Sequence, residues 1–345
     1  MSQATQIGAL VYNQGEVVLT ENEIFSNGIV GVYVLDPSAK AWILDNSIHD
    51  YLDPLGSSRG IWADTLAEVE IHGNTVQDNN LNVLIHSNVS ASISFNTLRD
   101  ARVGIGGTGN GLHVVDYNTP TINLTCCHNT FIDNERSGAY LSGATALIDH
   151  NDFIDELVSG NLTVPYSILT VGGSRVSILN NHLLRSNIGI RFSDGSGGLI
   201  ANNLLIGQSG NSIFGNIIGG GTLTITISGV RGIYVQDTDP GNSLKILNNS
   251  ILGTQNYGIE FTNAPDAQLI NNILAYNTTG TNRTDLSGVS TNQVFHCYLG
   301  QGDTNFIGKN NNIDGELKLV NLRLSDYRLR PTSVAETMGV TTSIC

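Results

Sequence analysis

Basic residues are scarce in this chain of 345 residues, which has 16 Lys and Arg against 30 Asp and Glu and a formal net charge of −14. Nucleic acids and anionic membrane surfaces attract proteins through basic patches. The composition therefore argues against nucleic acid as a partner. It also predicts no membrane insertion, because no run approaches the roughly 20 apolar residues of a membrane helix.

Cysteine is also rare, with four residues in the whole chain. Four cysteines in a chain of this length do not form a disulfide scaffold. Spacing alone does not decide whether Cys297 and Cys345 form a disulfide. The first ten residues lack the basic and apolar segments of a signal peptide. The chain is then cytosolic, shortened, or part of a larger secreted protein.

Asparagine, in contrast, recurs in one short phrase: apolar, two variable residues, Asn, one variable residue, apolar. Examples are ILDNSI at 43–48 and ILNNSI at 246–251. Alternation of apolar residues around the Asn is typical of a β-strand. A further unit with Ser228 in the Asn position is predicted at 223–230. The Asn of each phrase is Asn22, Asn46, Asn74, Asn96, Asn129, Asn151, Asn181, Asn203, Asn249, Asn272 or Asn311.

A third strand follows later in each unit and often begins with Gly, as in GVYV at 31–34 and GIYV at 232–235. Three short strands separated by polar bends describe one coil of a parallel β-helix. Coils stack at about 4.8 Å, so that like residues lie over like residues. The Asn is expected at a bend, where its amide bonds the backbone and the Asn above and below.

The phrases IxxNxI and GIxL resemble the pattern of right-handed parallel β-helix proteins of the pectin-lyase-like superfamily. That group includes polysaccharide lyases, polygalacturonases, sugar epimerases and phage tailspikes. The resemblance covers about residues 15–320. It implies an all-β, single-stranded right-handed parallel β-helix of about twelve coils with an Asn ladder.

The two ends of the chain carry separate expectations. The phrase Asp326-Tyr327-Arg328-Leu329 resembles the closing segment of secreted bacterial β-helix proteins. We therefore predict a β-helix over 1–320 and a C-terminal capping segment over 321–345. The amphipathic helix that usually caps the first coil is absent, which favours an upstream domain or a subunit covering the N-terminal coil.

The resemblance implies that a sugar lies along the Gly-introduced strands, where the variable residue of GIxL points outward. Aromatic residues in this column offer apolar faces to sugar rings. The alternative is that Tyr and Trp simply suit exposed strand positions. The predicted substrate-binding residues are Tyr33, Trp62, Tyr140 and Phe214, with Leu84, Leu169 and either Phe295 or His296 in the same column.

Carboxylates follow several of these strands, and the candidates are Asp64, Asp194 and Asp237, together with Asp36. Paired carboxylates serve as acid and base in glycoside hydrolysis. The same residues are an alternative Ca²⁺ site, as in lyases of this fold. Ca²⁺ is thus a possible cofactor of this face, and the question stays open because Asp is also an ordinary turn residue.

Arg191, Tyr234 and Glu260 form the best catalytic cluster, with Phe214 expected between the first two. β-Elimination from a uronic acid needs a cation to neutralise the carboxylate and a base to take the C5 proton. Arg191 would neutralise, and Tyr234 would be the base or the acid. The paired Asp and Gly-His-Gly of polygalacturonases are absent.

His128 and His150 precede ladder Asn residues in successive coils, beside Cys127 and Asp149. This set could hold a transition metal. Ordinary stacking of the ladder explains the same pattern, and no spaced metal motif supports a site.

These observations favour an extracellular or cell-surface protein that binds a polysaccharide along the Tyr33–Trp62–Tyr140–Tyr234 face. Cleavage by a lyase mechanism is left open, because the signature residues are incomplete. The alternative is a non-catalytic structural or adhesive rod, such as an adhesin, tail-fibre or filament segment.

Overall fold

The architecture is a coil of three parallel β-sheets, seen in a computed structural model of the chain. The structure describes the chain except residues 1–6, 27, 52, 54, 56, 105–108, 117–121, 155–164, 208–230, 239–242, 255, 278–283, 301, 316, 322–325, 331–332 and 336–345. Each coil contributes one strand to sheet A, then one to sheet B and one to sheet C. The described part of the chain builds eleven strands in each of these sheets.

The strands are short, and their bounds follow the repeat closely. Sheet A contains Ile7–Val11, Val30–Val34, Arg59–Ala63, Leu81–His86, Asn110–Val115, Ser137–Ser142, Tyr166–Val171, Ile188–Phe192, Arg231–Gln236, Tyr257–Thr262 and Leu286–Ser287. Sheet B contains Glu16–Thr20, Lys40–Leu44, Glu68–His72, Ser90–Ser94, Ile122–Cys127, Ala144–Asp149, Arg175–Leu179, Gly197–Ala201, Leu244–Leu247, Gln268–Ile270 and Val294–Phe295. Sheet C contains Glu23–Phe25, Ser47–Tyr51, Thr75–Asn79, Thr97–Arg99, Thr130–Ile132, Asp152–Ile154, His182–Leu184, Leu204–Ile206, Ser250–Leu252, Ile273–Ala275 and Tyr298–Leu299.

The core is made of inward columns that stack from coil to coil. Ile43 pairs with Ile71 in register, and both side chains are fully buried. Phe131 and Phe153 stack with their ring centroids 4.5 Å apart and an angle of 4° between their planes. β-Branched and aromatic side chains suit such a buried pleated surface, which is why the local alternation in sequence specifies strands.

Glycine is the second residue of many sheet A strands because a side chain there would clash with the packed interior. A Cβ atom on Gly138 would lie 2.5 Å from the Phe153 ring and 2.9 Å from the Ser167 carbonyl oxygen. The position therefore excludes every larger residue without rearrangement.

The Asn ladder has the expected geometry at the bend between sheets B and C. The backbone N–H and the Nδ2 of Asn96 both donate to Asn129 Oδ1, at 2.9 Å. Asn129 repeats this pattern toward Asn151, and its Nδ2 also donates to the Ile93 and Cys127 carbonyls. These side chains are 1% exposed, so each amide satisfies backbone groups that water does not reach.

The ladder runs directly from Asn203 to Asn249 and has no place for the coil predicted at 223–230, a segment that lies outside the described residues. Asn203 donates directly to Asn249 Oδ1 at 2.9 Å, and Arg191 pairs in register with Tyr234. No ladder place is left for Ser228 and no strand place for Phe214 between those residues, so that part of the prediction was wrong. Eleven coils are described, one fewer than expected, and Phe214 itself lies outside the described residues.

The ladder also ends differently from the prediction, which placed Asn311 after Asn272. Cys297 occupies that place, with its Sγ 3.9 Å from Asn272 Nδ2. Its backbone N–H donates to Asn312 Oδ1 at 2.8 Å. Cys297 is fully buried with a free thiol, while Cys345 lies outside the described residues.

Among the described residues, the first and last coils differ in their apolar contacts. In the first coil the apolar residues Leu10, Tyr12, Val18 and Phe25 are exposed. Near the other end, Leu317 and Ala335 pack with Leu252, Ile273, Ala275 and Tyr298 on sheet C. Strands Leu319–Asn321 and Asp326–Leu329 pair antiparallel in this region, and a short 3-10 helix spans Thr291–Gln293. Among the described residues there is no helix long and apolar enough to span a membrane.

A pair of buried carboxylates lies in the last coils. Asp303 accepts a hydrogen bond from the Asp285 backbone N–H at 2.7 Å, and Asp285 accepts from Asn277 and Gly300. Burial raises the pKa of Asp303 to about 6. The folded protein therefore keeps a proton on this carboxyl at a pH where the unfolded chain has lost it.

We predict that Asn129→Ala lowers the free energy of unfolding by about 2–4 kcal/mol, because it leaves several buried groups of Asn96 and Ile93 without partners. Urea unfolding measures this. The control is Asn123→Thr, an exposed position on sheet B in the same coil. A loss below about 1 kcal/mol for Asn129→Ala would contradict a stabilising role for the ladder.

We predict that Asp303→Asn stabilises the protein at pH 7.5 and has little effect at pH 4. The folded pKa lies above the unfolded value, so stability from this group is present below about pH 4 and is lost as the pH rises through about 6. The amide keeps the acceptor for Asp285 without the buried charge. Thermal unfolding across this pH range measures the change in stability. Equal stabilisation at pH 4 and pH 7.5 would contradict the raised pKa of Asp303.

Candidate functional site

The outward column of sheet A brings most of the predicted strand-face residues into one line. The register joins Tyr33, Trp62, Leu84, His113, Tyr140, Leu169, Arg191, Tyr234 and Glu260 from coil to coil. Sequence analysis missed His113, although GLHV at 111–114 fits the Gly-apolar-x-apolar phrase. Phe295 and His296 were assigned to this column wrongly, because Phe295 pairs with Ile270 in sheet B.

Aromatic rings of this column stack on one another instead of lying flat on the surface. The Tyr33 and Trp62 centroids are 4.4 Å apart with a 20° angle between planes. His113 and Tyr140 are 4.6 Å apart at 23°. The Arg59 guanidinium lies 4.6 Å from the Trp62 ring centroid. One face of each stacked ring is therefore covered by its neighbour, so a ligand would contact mainly the ring edges.

Arg191 is the best-positioned cation of this face. Its guanidinium donates to the Tyr166 hydroxyl at 2.9 Å and to Gln236 Oε1 at 3.0 Å. It also lies 5.4 Å from the Tyr234 ring centroid. No ion pair joins it to a carboxylate in the part of the chain that the structure describes. A cation oriented by neutral groups is suited to receive an anionic ligand group.

Tyr234 and Glu260 lie in the next two coils, but each has a partner of its own. The Tyr234 hydroxyl donates to Gln236 Oε1 at 3.1 Å. Glu260 forms an ion pair with Arg231, whose guanidinium also lies 4.5 Å from the Tyr234 ring centroid. Arg191, Tyr234 and Glu260 thus form one contiguous group in which Glu260 is neutralised and Arg191 is not.

The Asp residues near this face are divided between two places. Asp194 and Asp237 follow adjacent strands, and the Gly195 N–H donates to the Asp237 carbonyl at 2.9 Å. Both have left-handed backbone, with φ of 55° and 50°, a conformation that Asp tolerates at turns. Asp64 lies five coils away, roughly 24 Å at about 4.8 Å per coil, too far to act as a pair with either.

Asp64 instead contacts a histidine of its own neighbourhood. Its Oδ1 lies 3.0 Å from His86 Nδ1, and the Ser87 hydroxyl lies 2.8 Å from the same nitrogen. A nucleophile relay needs the carboxylate and the hydroxyl on opposite ring nitrogens, so this group does not form one.

His128 and His150 form a ring stack at the ladder bend. Their centroids are 5.1 Å apart, and Phe95 continues the stack 4.9 Å from His128. Burial, with Asp149 next in effect, raises the pKa of the Cys127 thiol, which disfavours the thiolate a metal needs. The described residues hold no group of three His, Cys, Asp or Glu side chains that could share a metal ion.

A groove of about 490 Å³ lies on another face, the outer side of sheet B. Its lining includes the small residues Ser90 and Ser92 and the larger side chains of Trp42 and Leu147. Lys40 and Glu68 form an ion pair of 3.1 Å beside it. Sequence analysis did not single out this face, because no residue type there marks a site.

The three parallel sheets and the Asn ladder define a parallel β-helix protein. Residues 2–154 match the sequence model of a family described as a right handed beta helix region. The later coils continue the same register to Tyr298–Leu299, so the predicted right-handed parallel β-helix is confirmed, and the pectin-lyase-like resemblance is consistent with this family. No curated protein and no solved structure gave a significant match.

Proposed function

We propose that this protein binds an acidic polysaccharide along the outer face of sheet A, with a uronate carboxylate on Arg191. The fold itself supports a carbohydrate-related or structural β-helix protein in general terms. The observation that carries the finer proposal is the Arg191 guanidinium, which neutral groups orient and no described carboxylate neutralises. Acidic polysaccharides occur outside the cell, so the proposed location is extracellular or on the cell surface.

The electrostatic setting favours moderate affinity. The chain carries a net charge of −14, which repels polyanions at long range. Near Arg191, however, the hydrogen-bond partners are Tyr166 and Gln236, both neutral. Charge-assisted hydrogen bonds from a guanidinium to a carboxylate are short and specific, so local contact can outweigh the distant repulsion. A bridging Ca²⁺ near Asp194 and Asp237 would reduce that repulsion further.

Cleavage of the bound polymer is a narrower version of the proposal. β-Elimination needs a neutralised carboxylate and a base near the C5 proton. Arg191 supplies the first role, and Tyr234 is the adjacent group with an ionisable hydroxyl. Because that hydroxyl donates to Gln236 and Glu260 is paired with Arg231, binding is better supported than catalysis.

A structural or adhesive rod is the second candidate, and the first coil favours it. Leu10, Tyr12, Val18 and Phe25 are exposed on its outer surface, and its strands are the first described strand of each of the three sheets. Sheet edges with apolar side chains are suited to pairing with another protein unit. The proposed partner is an upstream domain or subunit that covers this coil.

We predict that Arg191→Gln weakens binding to an acidic polysaccharide about 10- to 100-fold, the effect of losing hydrogen bonds to a charged group. Isothermal titration with uronate polymers and with neutral glucans measures it. The matched control is Arg175→Gln, an exposed arginine on sheet B. If the native protein binds no polysaccharide, the carbohydrate proposal fails and the rod remains.

We predict that any lyase activity on these polymers disappears in Tyr234→Phe while binding is kept, because the ring stays and the hydroxyl is lost. Ultraviolet absorbance of unsaturated products, with and without Ca²⁺, measures cleavage. No absorbance from any uronate polymer rules out the lyase version, and full activity in Tyr234→Phe removes this tyrosine from the mechanism.

A further inference from the structure

His113 is held in a polar network that the function proposed above does not use. The Ser137 hydroxyl donates to Asn110 Oδ1 at 2.6 Å, and Asn110 Nδ2 lies 2.7 Å from His113 Nδ1. Asn110 and Ser137 are fully buried, so these positions are fixed by packing. The imidazole itself is partly exposed and stacks on Tyr140.

The order of donors in this network fixes the proton on the histidine. Because the Asn110 oxygen accepts from Ser137, its amide nitrogen faces the imidazole and must donate. His113 Nδ1 is then the acceptor, and a neutral ring carries its hydrogen on Nε2. His113 lies on the outer column of sheet A, and no described residue accepts a hydrogen bond from its Nε2.

Burial, more than the charges around the ring, keeps His113 neutral. Burial, and then the neighbouring Arg136, Arg59 and His86, lower the pKa of His113 to about 3. Tyr140 stacks on the ring. The Nε2–H therefore stays a neutral donor throughout the physiological range.

We propose that His113 Nε2–H is a fixed hydrogen-bond donor to a second sugar of the same polysaccharide, at a neutral subsite three coils from Arg191. The proposal rests on the function proposed above. At about 4.8 Å per coil, the two sites are roughly 14 Å apart along the face. A polymer must therefore span several residues to reach both, and a short oligosaccharide at Arg191 does not touch His113.

The tautomer can be measured without any ligand. Nitrogen-15 NMR of labelled histidine should show one ring protonated on Nε2 and unchanged between pH 5 and 8, and His113→Phe identifies its signals among the eight histidines. Asn110→Asp should reverse the tautomer, because a carboxylate accepts from Nδ1 and cannot donate. A proton on Nδ1 in the native protein would overturn the proposal.

Binding of an oligosaccharide series tests the subsite. His113→Phe keeps a ring for Tyr140 and should weaken binding of long uronate oligomers about 3- to 10-fold, as expected for one neutral hydrogen bond. His113→Phe should not change binding of the shortest oligomers whose binding Arg191→Gln weakens. The matched control is His182→Phe on sheet C, which should leave the binding of short and long oligomers unchanged.

The outcomes separate the two proposals. If long oligomers depend on Arg191 and not on His113, the subsite is wrong and the proposed function stands. If the native protein binds no oligomer, both are wrong. Equal loss for short and long oligomers in His113→Phe would also overturn the subsite, since it would place His113 beside Arg191's sugar.

Discussion

The structure depends on register, and the buried Asn ladder enforces it. Asn129 is satisfied only when Asn96 lies one coil below and Asn151 one coil above. A slip of one residue would turn the inward columns outward and leave the amides and several carbonyls unpaired. Each coil therefore fixes the next, and everything on the outer surface inherits this alignment.

The same alignment sets the character of the sheet A face. Residues of one column repeat at the coil spacing, which is also a good distance for stacking planar rings. Tyr33 with Trp62 and His113 with Tyr140 stack for this reason. The face then presents ring edges, guanidinium groups and amides, so recognition of a sugar would depend on directed hydrogen bonds more than on flat apolar contact.

Charge compensation distinguishes two neighbouring arginines on that face. Arg231 is paired with Glu260 and contributes mainly to structure. Arg191 is held by Tyr166 and Gln236, which orient it without cancelling its charge. Sequence analysis placed Arg191, Tyr234 and Glu260 in one column but expected a coil with Phe214 between the first two, whereas Arg191 pairs directly with Tyr234. The pairing of Glu260 with Arg231 depends on side-chain directions that a column pattern does not contain.

The sequence by itself determined the coil, its inward columns and most ladder positions, because these follow from alternation within a few residues. It did not determine which segments close into coils: 223–230 has strand periodicity, but Asn203 bonds Asn249 directly. Nor did it determine that Cys297 takes a ladder place, because register and not residue type assigns that place. Only the tertiary structure decided which side chains meet across coils, since those contacts join residues 20 or more positions apart through connections of unequal length.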